Sequence, residues 1–217
     1  MKLYRLFERC VNIKYEQIGE AANFALRRQG NVLYIFFEGS RDEKDWKVNL
    51  DFPAMSYKRM GRTVWFAHGG FLEAWKRTEP YLKKAIIDSG VKKIVLTGYS
   101  HGAAIALLCH EYVWFNRPDL RSTLEGYGFG CPRVLWGISY PAITKRFEGF
   151  FVIRNIDDAI THLPPKALGF YHVGGLIEIG ESGKYSNVDA HRKNNILYEL
   201  KHLEHELSEC LCDIKNI

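Results

Sequence analysis

At positions 93–108 the chain reads KIVLTGYSHGAAIALL, and this stretch decides the fold. Its first part, through Thr97, is typical of a buried strand, and its last part is typical of a helix. Between them lies Gly98-Tyr99-Ser100-His101-Gly102, a G-x-S-x-G pattern. A sharp strand-to-helix turn crowds the residues two before and two after its serine, and glycine at both places relieves that crowding. The stretch therefore predicts that Ser100 is a nucleophile on such a turn, beside a helix N-terminus.

Outward from this turn, buried strands alternate with helices along the chain. The predicted strands lie at 31–37, 63–67, 93–97, 126–129 and 150–154, with a possible hairpin at 176–179 and 185–188. The predicted helices lie at 15–29, 71–89, 102–115 and 191–211. Such alternation is typical of a mostly parallel central sheet flanked by helices on both faces. With the serine turn, it predicts the α/β-hydrolase fold, in one domain over residues 1–217.

Composition narrows the class of protein. The 217 residues are 47% apolar and carry a mild net charge of +5. The five cysteines lack paired spacing, so neither a disulfide framework nor a metal site is indicated. The first ten residues alternate charged and apolar side chains and do not look like a secretory signal, so a cytoplasmic location is expected. No cofactor and no nucleic-acid partner is expected, and the sequence predicts no oligomeric state.

Two carboxylates and two histidines are candidate partners for Ser100. A serine hydroxyl is a poor nucleophile at neutral pH, so it needs a histidine to accept its proton and a carboxylate to hold that histidine. Asp157 and Asp158 follow an apolar, strand-like run, at the place where catalytic loops gather. His172 and His191 lie further along the chain in loop-like sequence. Spacing alone leaves these two histidines comparable as the base.

Several motifs follow one another in an order that is specific to one family. They are Phe37-Glu38-Gly39-Ser40 with Asp45-Trp46 and Asn49-Leu50, His68-Gly69-Gly70-Phe71 with Trp75, the turn at 96–104, the stretches at 127–134 and 154–165, and Asp189-Ala190-His191 with Tyr198. Together they resemble the class 3 lipases, which include fungal triacylglycerol lipases and plant phospholipase A1-like enzymes. The resemblance covers most of the chain, from about Val32 to Tyr198.

The resemblance implies a role for each candidate. It implies a catalytic triad of Ser100, Asp158 and His191, and it makes His172 a structural histidine. The oxyanion hole needs two donors. The backbone N–H of His101, directly after the nucleophile, is expected to be one, and the resemblance implies that Ser40 supplies the other.

The segment at 41–49 resembles the family's lid, but it is rich in charge. Its apolar residues, with the one that follows, are Trp46, Val48 and Leu50. A polar lid predicts dispersed or shorter-chain substrates. Tyr99, beside the nucleophile, is a further candidate for lining an acyl groove.

Two departures from the family pattern carry expectations of their own. Glu38 stands where the family has arginine, so the charge pairing behind the oxyanion loop must differ. Thr161 stands where the family has proline, which is expected to loosen that turn.

The function that these residues predict is hydrolysis of carboxylic esters of lipids through an acyl-enzyme on Ser100. Acylglycerols, lysolipids or phospholipids cleaved at an A1-type position are the expected substrates, and peripheral contact with a lipid interface is expected. An acyltransferase with the same triad, in which an alcohol replaces water, is one alternative. A catalytically silent lipid-binding or interaction module is another, although such a module has no need of all three triad residues.

Overall fold

Two sheets form the framework of the protein. A computed structural model describes residues 2–16, 23–39, 53–59, 62–88, 90–137 and 141–215. The strands are β1 (Phe24–Gln29), β2 (Val32–Phe37), β3 (Ala54–Arg59), β4 (Arg62–His68), β5 (Lys93–Tyr99), β6 (Glu125–Phe129), β7 (Leu135–Trp136), β8 (Phe150–Asn155), β9 (Phe170–Tyr171) and β10 (Gly175–Ile179). The helices are α1 (Leu3–Asn12), α2 (Gly69–Ile87), α3 (His101–Asn116), α4 (Pro141–Thr144) and α5 (Lys193–Lys215).

The larger sheet has six strands in the order β1-β2-β5-β6-β8-β10. Every neighbouring pair is parallel except β1 and β2. The smaller sheet has the order β3-β4-β7-β9 and is antiparallel throughout. Apart from the ends of elements, which differ by a few residues, the strands predicted at 31–37, 63–67, 93–97, 126–129 and 150–154 are all present.

Apolar clusters cover both faces of the larger sheet. On β2, Leu33, Ile35 and Phe37 belong to one buried cluster and Phe36 belongs to the other, because successive side chains of a strand point to opposite faces. Helices α2 and α3 pack in the first cluster, and α1 and α5 pack in the second. Each fully buried Leu, Ile or Phe in them contributes about 1.5–3 kcal/mol. The predicted α/β-hydrolase architecture is thereby confirmed.

Residues 15–29 do not form the predicted helix where the structure describes them. Phe24–Gln29 is strand β1, which pairs antiparallel with β2. Gly30, at φ 57°, and Asn31 form the two-residue turn between the strands. Glycine followed by asparagine between two strand-like runs is itself a hairpin signal. Pairing along the whole of β2 therefore outweighs the helical spacing of the apolar residues.

The predicted hairpin at 176–179 and 185–188 is also not formed. Its first half is β10, which pairs parallel with β8. Its second half lies in a loop, where the carboxylate of Asp157 accepts backbone N–H bonds from Gly183 at 3.0 Å and from Tyr185 at 3.2 Å. These bonds occupy donors that a strand would need for its ladder.

The carboxyl ends of the parallel strands meet at one edge of the larger sheet. Strand β5 ends there at Tyr99, directly before Ser100, and β8 ends three residues before Asp158. Strand β10 ends at the same edge and leads through the loop at 180–188 to His191. The topology thus brings three distant parts of the sequence to one place.

Candidate active site

Ser100 sits on a backbone turn that few residues can adopt. Its φ is 54° and its ψ is −121°, and within the described ranges it alone among non-glycine residues has a positive φ. Such a conformation costs about 1–3 kcal/mol and persists where the surroundings enforce it. A Cβ at Gly98 would stand 2.1 Å from the carbonyl oxygen of Gly102. The two glycines therefore permit the close turn that the sequence pattern predicts.

The first turn of α3 lies against the end of β2. A Cβ at Gly102 would stand 2.4 Å from the carbonyl oxygen of Phe37 and 2.5 Å from that of Glu38. The backbone N–H of Ser100 donates to the carbonyl of Phe129 at 2.9 Å, which fixes the turn to β6 as well. The N–H of the first residue of a helix has no acceptor one turn before it within the helix, and in α3 that residue is His101.

Ser100, His191 and Asp158 form a continuous hydrogen-bonded chain. Nε2 of His191 lies 2.9 Å from Oγ of Ser100, and Nδ1 of His191 lies 2.7 Å from Oδ2 of Asp158. In this arrangement the Nδ1–H donates to the carboxylate, which leaves Nε2 free to accept the serine proton. All three side chains are buried. The structure therefore brings together the three residues that the sequence proposes as a triad.

Asp158 is held by the turn that follows it. Its Oδ1 accepts the backbone N–H of Ile160 at 2.9 Å, and its carbonyl oxygen accepts the hydroxyl of Thr161 at 2.7 Å. The expectation that Thr161 loosens this turn is wrong. A threonine hydroxyl supplies a bond that proline cannot make, and the buried side chain closes the turn instead.

Asp157, the other candidate acid, anchors a loop instead of facing the serine. Its carboxylate accepts the N–H groups of Gly183 and Tyr185, and these bonds hold its pKa below the ordinary value. The loop at 180–188 that it fixes leads directly to His191. Adjacent aspartates thus act on the same histidine from two sides: Asp158 holds its ring, and Asp157 holds the chain that carries it.

Tyr99 packs against His191, and its place in an acyl groove stays a prediction. The residue is 8% exposed, and its ring packs inside the site. Its ring lies 5.2 Å from that of His191 with 26° between the planes, and its hydroxyl donates to the carbonyl oxygen of His191 at 2.7 Å. Tyr99 therefore contacts the histidine from the side of the second apolar cluster.

Two further histidines near the site are held in the neutral form. Nε2 of His172 donates to the carbonyl of Thr161 at 2.8 Å, so this histidine supports the turn after Asp158 and does not face Ser100. Burial lowers the pKa of His172 to about 4. Burial, with the nearby charge of His68, lowers the pKa of His101 to about 4. The side chain of His101 is therefore uncharged beside the nucleophile at neutral pH.

Gly130 is a site residue that sequence reasoning passed over. It has a φ of 58° and directly follows β6. A Cβ there would stand 2.7 Å from Cε1 and 2.9 Å from Nδ1 of His191, and 3.3 Å from Oδ2 of Asp158. The motif at 127–134 contains this glycine, but nothing in the motif alone says that an imidazole lies against it.

Some predicted residues lie outside the part of the chain that the structure describes. These are Ser40, the second proposed oxyanion donor, and Trp46, Val48 and Leu50 of the lid-like segment. The two residues before Ser40 are described. Glu38 accepts a hydrogen bond from the side-chain amide of Asn23 at 2.5 Å.

Over the described residues, no group of three or more His, Cys, Asp or Glu side chains is placed to hold a metal ion. Over the same residues, none of the helices has the length and apolar character needed to cross a bilayer.

Comparison with known proteins shows a relationship over most of the chain. The family described as Lipase (class 3) matches residues 34–168. The lipase of Rhizomucor miehei is 32% identical over 152 residues, which are 66% of this chain and 40% of that protein. Secreted mono- and diacylglycerol lipase 1 of Fusarium solani is 26% identical over 158 residues, which are 71% of this chain and 46% of that protein. The chain thus spans less than half the length of these curated relatives.

A solved structure shows the same relationship in three dimensions. The triacylglyceride lipase of Rhizomucor miehei superposes with a TM-score of 0.66 and 28% identity, covering 78% of this chain and 66% of that one.

The expected cytoplasmic location is contradicted by these comparisons. Relatives from Fusarium solani, Malassezia restricta and Malassezia globosa are named as secreted lipases. The expectation rested on the first ten residues, which do not look like a secretory signal, and on cysteines without paired spacing. Cys10, Cys109 and Cys131 are free and buried in the described structure, and buried thiols behave as small apolar side chains in any compartment. Cysteine usage therefore does not discriminate between a cytoplasmic and a secreted protein.

Proposed function

The chain belongs to the class 3 lipase family, and from that premise we propose that it is a serine hydrolase that cleaves carboxylic esters of lipids. The observation that carries this proposal is the hydrogen-bonded chain from Ser100 through His191 to Asp158. Its geometry meets the requirement for nucleophilic catalysis, since the base lies within hydrogen-bond reach of the nucleophile and is itself oriented by a third group.

The reaction begins with proton transfer. His191 accepts the proton of Ser100 at Nε2 while Oγ attacks the ester carbonyl carbon, and Asp158 stabilises the imidazolium through Nδ1–H. The tetrahedral intermediate collapses as His191 returns the proton from Nε2 to the leaving alcohol. A water molecule then gives its proton to His191 and attacks the acyl-enzyme, and collapse of the second intermediate releases the acid and regenerates Ser100.

The negative oxygen of each intermediate requires donors fixed in advance. We assign the backbone N–H of His101 and Ser40 to this task. The position of His101 at the start of α3 supports its role, since the helix dipole favours negative charge there. The packing of Gly102 against the carbonyls of Phe37 and Glu38 supports the role of Ser40, because the strand that leads to Ser40 ends beside the serine turn.

The substrate class follows from the relatives. Those from Fusarium solani and Malassezia are named as mono- and diacylglycerol lipases, which supports acylglycerols as substrates of this chain. Lysolipids and phospholipids cleaved at an A1-type position use the same ester chemistry and are included in the proposal.

An exposed apolar surface supports peripheral contact with lipid. Phe66, Trp136 and Leu168 are 40%, 38% and 63% exposed. The ring of Phe66 packs edge-on against Trp136 at 5.6 Å, and the indole N–H of Trp136 donates to the carbonyl of Leu168 at 2.8 Å. We call the surface formed by these two aromatic residues and Leu168 the aromatic face. Exposed Lys166 lies two residues from Leu168, and this combination of indole, apolar and basic groups matches the boundary of an anionic bilayer.

The test of the hydrolase proposal is turnover of p-nitrophenyl esters from acetate to palmitate by wild type, Ser100→Ala and Ser122→Ala. Ser122 is exposed in a turn before β6, at the opposite edge of the sheet, and serves as the matched control. We expect Ser100→Ala to lose about 10⁴- to 10⁶-fold in kcat and Ser122→Ala to match wild type. Equal turnover by wild type and Ser100→Ala would refute the proposal. Product analysis with added glycerol distinguishes acid release from acyl transfer.

A further inference from the structure

The residue before the nucleophile makes two contacts with the base. The hydroxyl of Tyr99 donates to the main-chain carbonyl of His191 at 2.7 Å. Its ring also lies nearly parallel to the imidazole of His191, with the centroids 5.2 Å apart. One contact holds the backbone of the histidine and the other limits the rotation of its ring, so together they constrain both ends of the side chain.

Tyr99 also contacts the segment that leads to the proposed oxyanion donor. A Cβ at Gly39, the residue before Ser40, would stand 2.8 Å from Cδ1 and 2.9 Å from the carbonyl oxygen of Tyr99. The peptide bond joins Tyr99 directly to Ser100. Tyr99 therefore contacts His191, directly precedes Ser100 in the chain and lies against Gly39, the residue before Ser40.

The surroundings of Tyr99 keep its ring in place. Phe7 of α1 packs edge-on against it at 5.7 Å, and the ammonium of Lys193 lies 5.6 Å from its centroid. The stretch that carries His191 is a single short turn, Asp189–His191, before α5. Because this turn follows a long loop, contacts from neighbouring elements must define where the imidazole lies.

We propose that Tyr99 is a positioning residue that holds His191 in line with Ser100. The inference rests on the proposed function and extends it to a residue outside the triad. A displacement of about 1 Å of a catalytic group costs on the order of 10²-fold in rate. The effect is therefore expected in kcat, with substrate binding unchanged.

The first experiment compares Tyr99→Phe, Tyr99→Leu and the control Tyr127→Phe on a soluble p-nitrophenyl ester. Tyr127 is also a partly buried tyrosine with a hydrogen-bonded hydroxyl, which donates to Glu125 at 3.0 Å away from the triad. We expect kcat to fall by about tenfold in Tyr99→Phe, the value of one lost hydrogen bond, and by about 10²-fold in Tyr99→Leu. KM should stay within twofold in both, and Tyr127→Phe should keep the kcat of wild type.

A second readout does not require turnover. The Nδ1 proton of His191, shared with Asp158 across 2.7 Å, is expected to give a downfield proton resonance by nuclear magnetic resonance. Tyr99→Phe should shift or broaden this resonance, and Tyr127→Phe should leave it unchanged.

The two proposals fail in different ways. If wild type turns over no ester but Tyr99→Phe alters the resonance, the hydrolase proposal fails and the positioning role stands. If Ser100→Ala abolishes turnover while Tyr99→Phe keeps both the kcat and the resonance of wild type, the positioning role is overturned. Because Tyr99→Phe retains the ring, its result decides the matter even if Tyr99→Leu does not fold.

Discussion

Gly130 lies directly against the imidazole of His191, so close that a methyl group in its place would stand 2.7 Å from Cε1. This distance is shorter than any normal contact between two carbon atoms. The gap between β6 and the histidine is therefore filled by backbone alone, and the position of the base depends on it.

Substitution of Gly130 should lower kcat strongly while it lowers stability only slightly. Gly130→Ala pushes the imidazole away from Ser100, and we expect kcat to fall by about 10²-fold or more. Gly30→Ala is the matched control, since Gly30 has nearly the same φ, 57°, and nothing within 4 Å of its Cβ position. Both variants should lose about 1 kcal/mol of stability from backbone strain. Comparable kcat values for the two variants would contradict the steric argument.

The adjacent aspartates should differ sharply in their effects. Asp158→Asn removes the acceptor that fixes the tautomer of His191, so we expect kcat to fall by about 10⁴-fold. Asp157→Asn weakens the anchor of the loop at 180–188 and should lower kcat by less than tenfold. The measurement is kcat for both variants on the same soluble ester. A loss of 10⁴-fold in kcat for Asp157→Asn would contradict the assignment of Asp158 as the residue that holds the ring of His191.

Stability should fall as the pH is lowered, because several histidines are buried in the neutral form. His110 packs against the rings of Phe147 and Phe150, and burial lowers its pKa from 6.5 to about 3. The unfolded chain therefore binds a proton that the folded chain does not, and the free energy of unfolding decreases as the pH falls from about 6.5 towards 3. For His110 alone the loss between pH 6.5 and 4.5 is about 2 kcal/mol.

Denaturant unfolding of wild type, His110→Leu and His202→Gln at these two pH values measures this dependence. His110→Leu should show a weaker decrease, whereas His202→Gln, on the exposed side of α5, should behave as wild type. His101 and His172, whose pKa values are also lowered, should keep part of the dependence in His110→Leu. If the free energy of unfolding decreased equally between the two pH values in wild type and His110→Leu, the role given to His110 would be contradicted.

The aromatic face should govern partition onto vesicles. In a Ser100→Ala background, Leu168→Ser should lower binding to phosphatidylglycerol vesicles by about tenfold, the value of about 1.5 kcal/mol of apolar burial. Tyr81→Ser is the matched control, since Tyr81 is 60% exposed on α2, outside this face. Equal binding by Leu168→Ser and Tyr81→Ser would place the lipid contact elsewhere. Weaker binding to phosphatidylcholine would show an electrostatic contribution to the lipid contact.

The central sheet and the triad could be predicted because local pattern and global fold agree there. The apolar run before Gly98 is buried on both sides, so it reads as a strand without knowledge of its neighbours. Ser100 directly follows a strand, and Asp158 lies three residues after one. These inferences depend on residues near in sequence, whereas the resemblance to the class 3 lipases selects Asp158 over Asp157 and His191 over His172.

The remaining features depend on contacts between distant segments. Phe24–Gln29 becomes a strand because β2 lies beside it, and the smaller sheet joins short strands that are far apart along the chain. Tyr99 and Gly130 matter because they contact His191, which is far from both of them along the chain. No spacing rule within the sequence could reveal such contacts, since they depend on how loops return to the sheet.

Strand β1 lies at one border of the larger sheet, and over the described residues its outer side is bridged by Glu16, whose N–H donates to the carbonyl of Phe24 at 2.9 Å. A border of this kind can template the addition of a strand from another molecule and so begin aggregation. Arg27 and Arg28 are exposed on this strand, and a second chain that paired with it would bring like charges together. In the hairpin that forms in place of the predicted helix, Arg27 and Arg28 thus also oppose self-association of the chain during folding.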